Sequence, residues 1–256
     1  MTTDADKPEQ SSVVGAWPEG ARDEASAASA VREMFSSIAP RYDLLNHVLS
    51  MNVDRLWWNR TARTFRHILG RPHARVLDLC CGTGDMTFAL YRHAKRASVE
   101  VTGADFSHAM LVRARQKSGD RKIRWMEADA LQLPFRPGQF DLVTAAFGFR
   151  NLANYNRGLQ EIYRVLSPGG EMGILDFGEP KGVFGMLYRF YFHRVLPKIG
   201  TVISGVSGPY KYLPASVQRF PSTEEMLERM REAGFAEVSW TPYTFGIAGL
   251  YRGRKS

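Results

Sequence analysis

The stretch that decides the fold is VLDLCCGTGD, from Val76 to Asp85. A short apolar run ends there in a glycine-rich turn, with one acid, Asp78, before the turn and another, Asp85, after it. An apolar strand, a tight turn and a helix form the first βα unit of a doubly wound sheet, in which ligands bind beyond the carboxyl ends of the strands. The turn Cys81-Gly82-Thr83-Gly84 is therefore the predicted start of a binding site.

The chain after this turn alternates between short apolar strands and helices. Predicted strands cover residues 75–80, 99–105, 122–128, 141–146 and 171–177, and predicted helices between them cover 85–93, 108–116 and 157–166. Such alternation is typical of βαβ units and a parallel sheet. Residues 236–244 and 246–253 add a final antiparallel hairpin. The sequence thus predicts an α/β fold with a seven-stranded doubly wound sheet and one antiparallel strand near its edge.

At 256 residues and 44% hydrophobic, the chain is long enough for one domain with an appendage or insertion. Residues 1–28 are polar and rich in Ala, Ser and Glu, which predicts a mobile tail before a single domain of residues 29–256. Amphipathic patterns over 30–49, interrupted by Pro40, and over 54–69 predict an N-terminal helical cap at 29–70. Residues 180–220 are predicted to form an aromatic and basic lid insertion.

Cellular location follows from what the sequence lacks. It has no uncharged apolar run of membrane-spanning length, and its start lacks the basic and apolar segments of a signal peptide. The two cysteines, Cys80 and Cys81, are neighbours, which rarely bridge, and no metal-ligand spacing surrounds them. We therefore expect two small core residues in a reducing cytoplasm and no metal site.

The net charge of +8 suggests an acidic partner. Basic and aromatic residues alternate in segment 181–219, which contains no Asp or Glu. This composition suits an anionic membrane surface, single-stranded nucleic acid, or a lid helix whose aromatic rings pack on the sheet. Composition alone leaves these three alternatives open.

Acids recur at the strand ends. Asp105 closes the second strand, where it can accept hydrogen bonds from ribose hydroxyls, and Asp129 follows the third, where it can accept from an adenine amino group. Asp85 at a helix N-terminus repels phosphate, Thr87 replaces the third glycine of a dinucleotide fingerprint, and the lysine of a P-loop is missing. The glycine pair alone is equally typical of an ordinary tight turn. With the acids, the pattern predicts a positively charged nucleoside without pyrophosphate, and S-adenosylmethionine fits.

The chemistry is predicted from AAFGFRN, residues 145–151, after the fourth strand. Enzymes that methylate exocyclic amines often carry an Asn/Asp-Pro-Pro-aromatic run here, so its absence favours a carbon nucleophile made electron-rich by loss of a phenolic proton. Phe147 and Phe149 are predicted walls of a dry pocket. Arg150 can stabilise a phenolate or hold a water, or it can brace the loop in a salt bridge, and spacing does not separate these roles.

Longer stretches of the chain, over about residues 31–252, resemble the C-methyltransferase family of ubiquinone and menaquinone biosynthesis. The matching stretches are VREMFSSIAPRYDLLNHVLSMNVDRLWW, VLDLCCGTGD, EADALQLPF, DLVTAAFGFRNLANYNRGLQEIYRVLSPGG and YKYLPASVQRFPSTEEM. The RYDLLN core at residues 41–46 and the FGFRN run at residues 147–151 are much more specific than the glycine turn.

The resemblance implies a Rossmann-like class I fold that uses S-adenosylmethionine to methylate a ring carbon of a polyprenylated quinol. The predicted acceptor is a demethylmenaquinol, with the benzoquinol precursor of ubiquinone as an alternative. The predicted cofactor-binding residues are Asp78, Gly82, Thr83, Gly84, Asp105, Asp129, Ala130 and Ala146, and the predicted catalytic residues are Tyr42, Asp43, Arg150 and Asn151. Some relatives carry a serine at position 146 and a smaller aliphatic residue at 149, so Ala146 offers no side-chain hydrogen bond and Phe149 is expected to reshape the pocket.

The predicted partners follow from the insoluble tail of such a substrate, which the enzyme must take from a bilayer. We therefore expect an anionic membrane surface as partner, peripheral association with the inner face of the cytoplasmic membrane, and no nucleic acid. An RNA methyltransferase is the alternative, disfavoured by the AAFGFRN run and by the lack of an appended RNA-binding module. The oligomeric state stays open, with a homodimer among the alternatives.

Overall fold

A computed structural model describes residues 15–18, 20–39, 53–94, 98–178, 180 and 208–256. The strands are β1 (Arg75–Leu79), β2 (Glu100–Asp105), β3 (Ile123–Glu127), β4 (Phe140–Ala146), β5 (Leu166–Phe177), β6 (Phe235–Tyr243) and β7 (Ala248–Lys255). They form a seven-stranded sheet in the order β3-β2-β1-β4-β5-β7-β6. Strand β7 runs antiparallel to both of its neighbours, and the pairs among β1 to β5 are parallel. The predicted doubly wound sheet with one antiparallel strand next to its edge is confirmed.

The helices are α1 (Glu24–Ile38), α2 (Val53–Thr64), α3 (Arg66–Leu69), α4 (Asp85–Ala94), α5 (His108–Ser118), α6 (Tyr155–Val165), α7 (Gly208–Arg219) and α8 (Thr223–Glu232). Two 3₁₀ turns cover Phe149–Asn151 and Thr244–Gly246. Helix α8 begins with a capping box, in which Ser222 and Glu225 exchange side-chain to backbone hydrogen bonds. Within the described ranges, no helix has both the length and the apolar character needed to cross a bilayer.

Two apolar cores lie on opposite faces of the sheet, and β1 contributes to both because successive side chains of a strand point to opposite faces. Leu77 and Leu79 belong to the core that also contains residues of α6 and α8. Val76 belongs to the core that contains residues of α2, α3 and α4. Strand β1 is buried from its second residue onward, whereas the edge strand β3 is mostly exposed. The cores therefore fix the central strands, whose ends carry the functional residues.

The predicted N-terminal tail is too long. Helix α1 begins at Glu24, where Asp23 accepts a hydrogen bond from the Ser26 N–H and the Ser26 side chain bonds back in a capping box. Ala27 is fully buried, and the Ala16 N–H donates to the Leu152 carbonyl at 2.7 Å. Described structure is therefore present before the predicted boundary at residue 29, because a local cap and small buried residues offset the polar composition.

Two further boundaries differ from the predictions. The predicted strand 171–177 starts earlier, at Leu166, so Pro168-Gly169-Gly170 lies inside β5, where the pairing with β4 shifts register between Phe140 and Leu142. The final strands are Phe235–Tyr243 and Ala248–Lys255 rather than 236–244 and 246–253, because a 3₁₀ turn separates them. The predicted catalytic residues Tyr42 and Asp43, and residues 181–207 of the predicted lid, lie outside the described residues.

Candidate active site

A cavity lies at the carboxyl ends of β1, β2, β3 and β4. Helix α1 covers part of it with Ala28 and Phe35. The other lining residues are Leu79, Cys80, Gly82, Asp105, Phe106, Met110, Ala128, Asp129, Ala130, Leu131, Ala146, Phe147, Gly148, Asn151, Leu152 and Ala153. Five of the eight predicted cofactor-binding residues are in this lining: Gly82, Asp105, Asp129, Ala130 and Ala146.

Asp105 is the most constrained acid of the cavity. Its Oδ2 accepts the Gly82 N–H at 2.8 Å and its Oδ1 accepts the Ser107 N–H at 2.9 Å. Burial raises the pKa of this carboxyl to about 6, although the backbone donors oppose the shift. Because each carboxylate oxygen has two lone pairs, each can accept one more hydrogen bond from a ligand. The side chain is thus suited to bind hydroxyl groups or a cation.

The charge of the cavity favours a positively charged ligand. Asp129 is exposed, and its Oδ1 accepts the Leu131 N–H at 2.8 Å, which fixes the carboxylate at the end of β3. Among the described residues that line the cavity, Asp105 and Asp129 are charged and none is Lys, Arg or His. A pyrophosphate would therefore meet two carboxylates without a described cation in the lining to offset them, whereas a cationic nucleoside fits both the charge and the apolar walls.

Three predicted cofactor residues lie behind the turn and are absent from the lining. Asp78 is completely buried and accepts the hydroxyls of Thr87 at 2.6 Å and Thr144 at 2.8 Å. Thr83 is 2% exposed, and its hydroxyl accepts from Lys117 Nζ at 3.1 Å. Gly84 has φ +92°, and a Cβ there would lie 2.7 Å from the ring of Trp125. In this structure these residues hold the shape of the turn.

The expected cation-attracting role of Asp85 needs correction. Its Oδ1 lies 2.9 Å from Lys117 Nζ, on helix α5, in a partly buried ion pair. The lysine offsets most of this negative charge before it can act on a ligand. The negative potential of the cavity therefore comes from Asp105 and Asp129 instead.

The ends of β1 and β4 meet in strained backbone. Cys80 has φ +52° and Phe147 has φ +57°, in the left-handed region that residues with a Cβ seldom adopt. A Cβ on Gly148 would lie 2.3 Å from Cys80 Cβ, so the glycine is needed for this contact. Both strained residues line the cavity, and such strain is concentrated at binding and catalytic sites. Cys80 was expected to be a core residue, so its place in the cavity wall is a correction.

The 3₁₀ turn after β4 separates the two predicted catalytic residues that it carries. Asn151 lines the cavity. Arg150 is 6% exposed and outside the lining; its Nη1 lies 2.8 Å from Asp176 Oδ1 and donates to the Phe147 carbonyl. The Arg150 N–H also lies 3.3 Å from Asp176 Oδ2. Of the two alternatives for Arg150, this geometry favours the one in which it braces the loop.

The two phenylalanines of this stretch also differ. Phe147 lines the cavity as predicted and packs against Phe177, with ring centroids 4.9 Å apart. Phe149 is completely buried and stacks on Tyr155, with ring centroids 5.8 Å apart. The expectation that Phe149 walls and reshapes the pocket is therefore wrong, because the 3₁₀ turn directs its side chain into the core.

Sequence reasoning missed most of the apolar wall. Phe106 and Met110, at the start of α5, and Leu131, Leu152 and Ala153, in loops after strands, contribute to the lining. Phe106 could have been inferred from its position directly after Asp105 at a strand end. No local sequence pattern marks the other residues as cavity-lining, because an apolar residue in a loop can equally well pack in the core.

The buried carboxyl of Asp78 predicts a pH effect on stability. Burial raises its pKa from 3.8 to about 7. Between these two pH values the carboxyl is protonated in the folded protein and ionised in the unfolded chain. The stability that this group contributes is complete below about pH 4 and is lost as the pH rises through about 7. We expect Asp78→Asn, which keeps one acceptor for the threonine hydroxyls, to flatten the fall in unfolding free energy over that range.

Urea unfolding of the wild type and the variant between pH 5 and pH 8 measures this effect. Asp120→Asn, which removes an exposed carboxylate, should leave the wild-type slope unchanged. A slope that is equally steep with and without Asp78 would mean that this carboxyl is ionised at the same pH in the folded and unfolded chains.

Two demethylmenaquinone methyltransferases are similar to this chain over most of its length. A demethylmenaquinone methyltransferase of Deinococcus radiodurans is 49% identical over 236 residues, which cover 91% of this chain and 95% of that protein. A demethylmenaquinone methyltransferase of Thermus thermophilus is 50% identical over 223 residues, which cover 86% of this chain and 99% of that protein.

Among solved structures, a possible histamine N-methyltransferase of Thermotoga maritima matches with a TM-score of 0.61 and 21% identity, over 88% of this chain and all of that one. At this identity the likeness establishes the fold and no activity. The model of the ubiE/COQ5 methyltransferase family matches residues 22–255. This match spans the whole sheet and every residue that lines the cavity, so the chain belongs to the ubiE/COQ5 methyltransferase family.

Proposed function

We propose that this protein is an S-adenosylmethionine-dependent C-methyltransferase that converts a demethylmenaquinol to the menaquinol. The observation that carries the proposal is a cavity at the strand ends with two carboxylates, apolar walls and one amide side chain, in a chain about half identical to demethylmenaquinone methyltransferases. The benzoquinol precursor of ubiquinone is the second acceptor, since other relatives are named for both pathways.

The residues of the cavity fit the cofactor. Asp105 would accept the ribose hydroxyls, while Asp129 and Ala130 would meet the adenine and Gly82 would allow close approach of the backbone. When bound, S-adenosylmethionine supplies a methyl group on a positively charged sulfur. The two carboxylates favour that positive charge, and no described cationic side chain in the lining opposes it.

The chain's own residues would prepare the acceptor. A quinol ring carbon becomes nucleophilic when a phenolic hydroxyl loses its proton, and Phe147 on the cavity wall helps to exclude water from that ring. The Asn151 amide can donate a hydrogen bond to the resulting phenolate. Tyr42 and Asp43 stay proposals for the pocket wall and the proton acceptor. We propose Arg150 as a positioning residue that holds the turn carrying Asn151 through Asp176.

Tyr212 is a further positioning residue in this proposal. Its hydroxyl donates to Asn151 Oδ1 at 3.2 Å, which turns the Asn151 Nδ2 away from α7. Burial raises the pKa of Tyr212 to about 12, so the hydroxyl stays a donor at neutral pH. We expect Tyr212→Phe to lower kcat by about two- to tenfold, the scale of one hydrogen bond, with KM for S-adenosylmethionine nearly unchanged.

Steady-state kinetics with varied cofactor measure this split between kcat and KM. Tyr163→Phe, which removes a hydroxyl far from the cavity beside β6, should change neither constant. If kcat stays at the wild-type value in Tyr212→Phe, the amide of Asn151 does not need this donor.

We also propose that the protein works at the cytoplasmic face of a membrane. A polyprenyl tail is insoluble in water, and each methylene transferred from water to an apolar phase gains about 0.8 kcal/mol. The basic and aromatic composition of residues 181–219, part of the proposed lid at 180–220, fits contact with anionic lipid. A homodimer is compatible with this arrangement.

The experiment that tests the function supplies methyl-labelled S-adenosylmethionine with each reduced quinone in detergent. We expect label on a ring carbon of the naphthoquinol, and Asp105→Ala, tested in parallel at limiting cofactor, should lose most of it. Label on the benzoquinol alone would move the activity to the ubiquinone pathway. Label on RNA, or on neither ring, would overturn the proposal.

A further inference from the structure

We propose that one face of α2, together with the turn at Thr244–Gly246, docks the protein on an anionic lipid bilayer. This docking face consists of Leu56, Arg60, Arg63 and Phe245. Leu56 is 67% exposed and Phe245 is 82% exposed, whereas the other two large apolar side chains that the structure describes as exposed reach 37% each. Two strongly exposed apolar side chains next to arginines are typical of a surface that meets both headgroups and acyl chains.

The helix itself places these residues together. Leu56, Arg60 and Arg63 follow one another at intervals of four and three residues, so they share one side of α2. The opposite side carries the buried residues Asp54, Trp57, Trp58, Thr61 and Ala62. Packing of that buried side against the protein leaves the leucine and the arginines facing outward.

The turn that carries Phe245 is fixed beside α2. Trp57 Nε1 donates to Thr244 Oγ1 at 2.8 Å, and the guanidinium carbon of Arg60 lies 4.1 Å from the centre of the Tyr243 ring. These contacts join the residues adjacent to Leu56 and Phe245. The docking face therefore combines exposed side chains from the helix and from the turn fixed beside it.

The charge of this face identifies the lipid. Arg60 and Arg63 are exposed, and neither makes an ion pair within the part of the chain that the structure describes. Arg55 and Arg66 are also exposed nearby, and the acid of α2, Asp54, is buried. An uncompensated group of arginines around exposed apolar side chains complements phosphate headgroups of anionic lipids.

The position of the docking face agrees with a substrate that comes from the membrane, and this step rests on the proposed function. The Trp57 ring packs against Phe147 with centroids 5.7 Å apart, and Phe147 lines the cavity. Helix α2, with Trp57 on its inner side, therefore lies between the docking face and the cavity wall. A tail that leaves the cavity past α2 would reach the bilayer that the docking face binds.

Sedimentation of the full-length protein with vesicles tests the docking face. The vesicles are phosphatidylcholine with or without phosphatidylglycerol, and neither quinol nor S-adenosylmethionine is present. We expect the double variant Leu56→Gln with Phe245→Asn to bind the anionic vesicles with an affinity at least about tenfold lower, because two apolar side chains no longer insert. Arg60→Gln and Arg63→Gln should each weaken anionic binding by about fivefold.

The variants are chosen to keep the fold. Phe245 has φ +57°, a conformation that asparagine tolerates better than phenylalanine, and glutamine is about as good a helix former as leucine. Val112→Gln with Met126→Gln removes exposed apolar groups elsewhere, and Arg136→Gln removes one positive charge, as each arginine variant does. Both controls should bind vesicles as the wild type does, and thermal unfolding checks that every variant is folded.

Three outcomes would overturn the proposal. If the Leu56/Phe245 variant bound vesicles as well as the wild type, insertion at this face would be excluded. If the control variants lost as much affinity, the loss would come from the overall charge or hydrophobicity of the protein and not from this face. Loss of single-stranded RNA binding in the arginine variants, with vesicle binding intact, would assign the face to nucleic acid. Since no methyl transfer is measured, failure of the proposed reaction would leave the vesicle result standing, and the reverse also holds.

Discussion

Replacing Arg150 with alanine should lower the free energy of unfolding by about 3–5 kcal/mol, the scale seen when one member of a buried ion pair is removed. The Asp176 side chain is 1% exposed, and it would lose its guanidinium partner at 2.8 Å. The turn would also lose the bond from Arg150 to the Phe147 carbonyl, next to the strained backbone of the cavity wall. Urea unfolding at neutral pH measures this loss.

A second variant separates the ion pair from the packing. In Arg150→Met with Asp176→Asn, no buried charge is left, and the asparagine oxygen can still accept the Phe177 N–H that Asp176 Oδ1 now accepts at 2.9 Å. We therefore expect most of the stability to return. Arg231→Ala, which breaks an exposed ion pair with Glu228, should cost less than about 1 kcal/mol and serves as the control.

Turnover of the same variants decides the role of Arg150. If the double variant recovers both stability and methyl transfer, the arginine acts by bracing the turn that presents Asn151. If it is as stable as the wild type but inactive, the guanidinium takes part in the chemistry, which would contradict the positioning role argued from its burial.

The sheet could be predicted from sequence because its central strands are short apolar runs bounded by turn residues. Strand β1 and the acids at the ends of β2 and β3 follow from that pattern, since parallel strands bring their carboxyl ends to one edge. The early start of β5 could not be predicted. Pro168-Gly169-Gly170 is a strong stop signal locally, and the strand continues across it because Leu166 before it and Glu171 after it both pair with β4.

The candidate site could be predicted only in part, because residues adjacent in sequence face opposite ways. Gly82 lines the cavity, but Gly84 packs against Trp125, a residue of strand β3. Thr83 faces Lys117 of α5 for the same reason. Arg150 meets Asp176 because β4 and β5 pair, and no local pattern joins positions 26 residues apart. Long-range contacts therefore decide which motif residues reach a ligand.

Asp105→Ala should weaken S-adenosylmethionine binding by about 1.5–3 kcal/mol, or roughly ten- to a hundredfold, the scale of a charge-assisted hydrogen bond. The affinity of the wild type for the cofactor should also depend on pH. Burial raises the pKa of Asp105 to about 6 in the protein without ligand, so the carboxylate is protonated as the pH falls through that value. A cationic ligand prefers the ionised form. The dissociation constant of the wild type should therefore rise below about pH 6.

Calorimetric titrations at pH 5, 6, 7 and 8 test both parts of this prediction. Asp105→Asn should bind weakly at every pH and lose most of the rise in dissociation constant on acidification, because position 105 no longer titrates. Asp120→Asn, which removes an exposed carboxylate outside the cavity, should keep the wild-type affinity and its pH dependence. An undiminished pH dependence in Asp105→Asn would move the titrating group to another residue. Tight binding of NADH or ATP by the wild type would contradict the selectivity that two carboxylates and a cavity wall without a described cation impose.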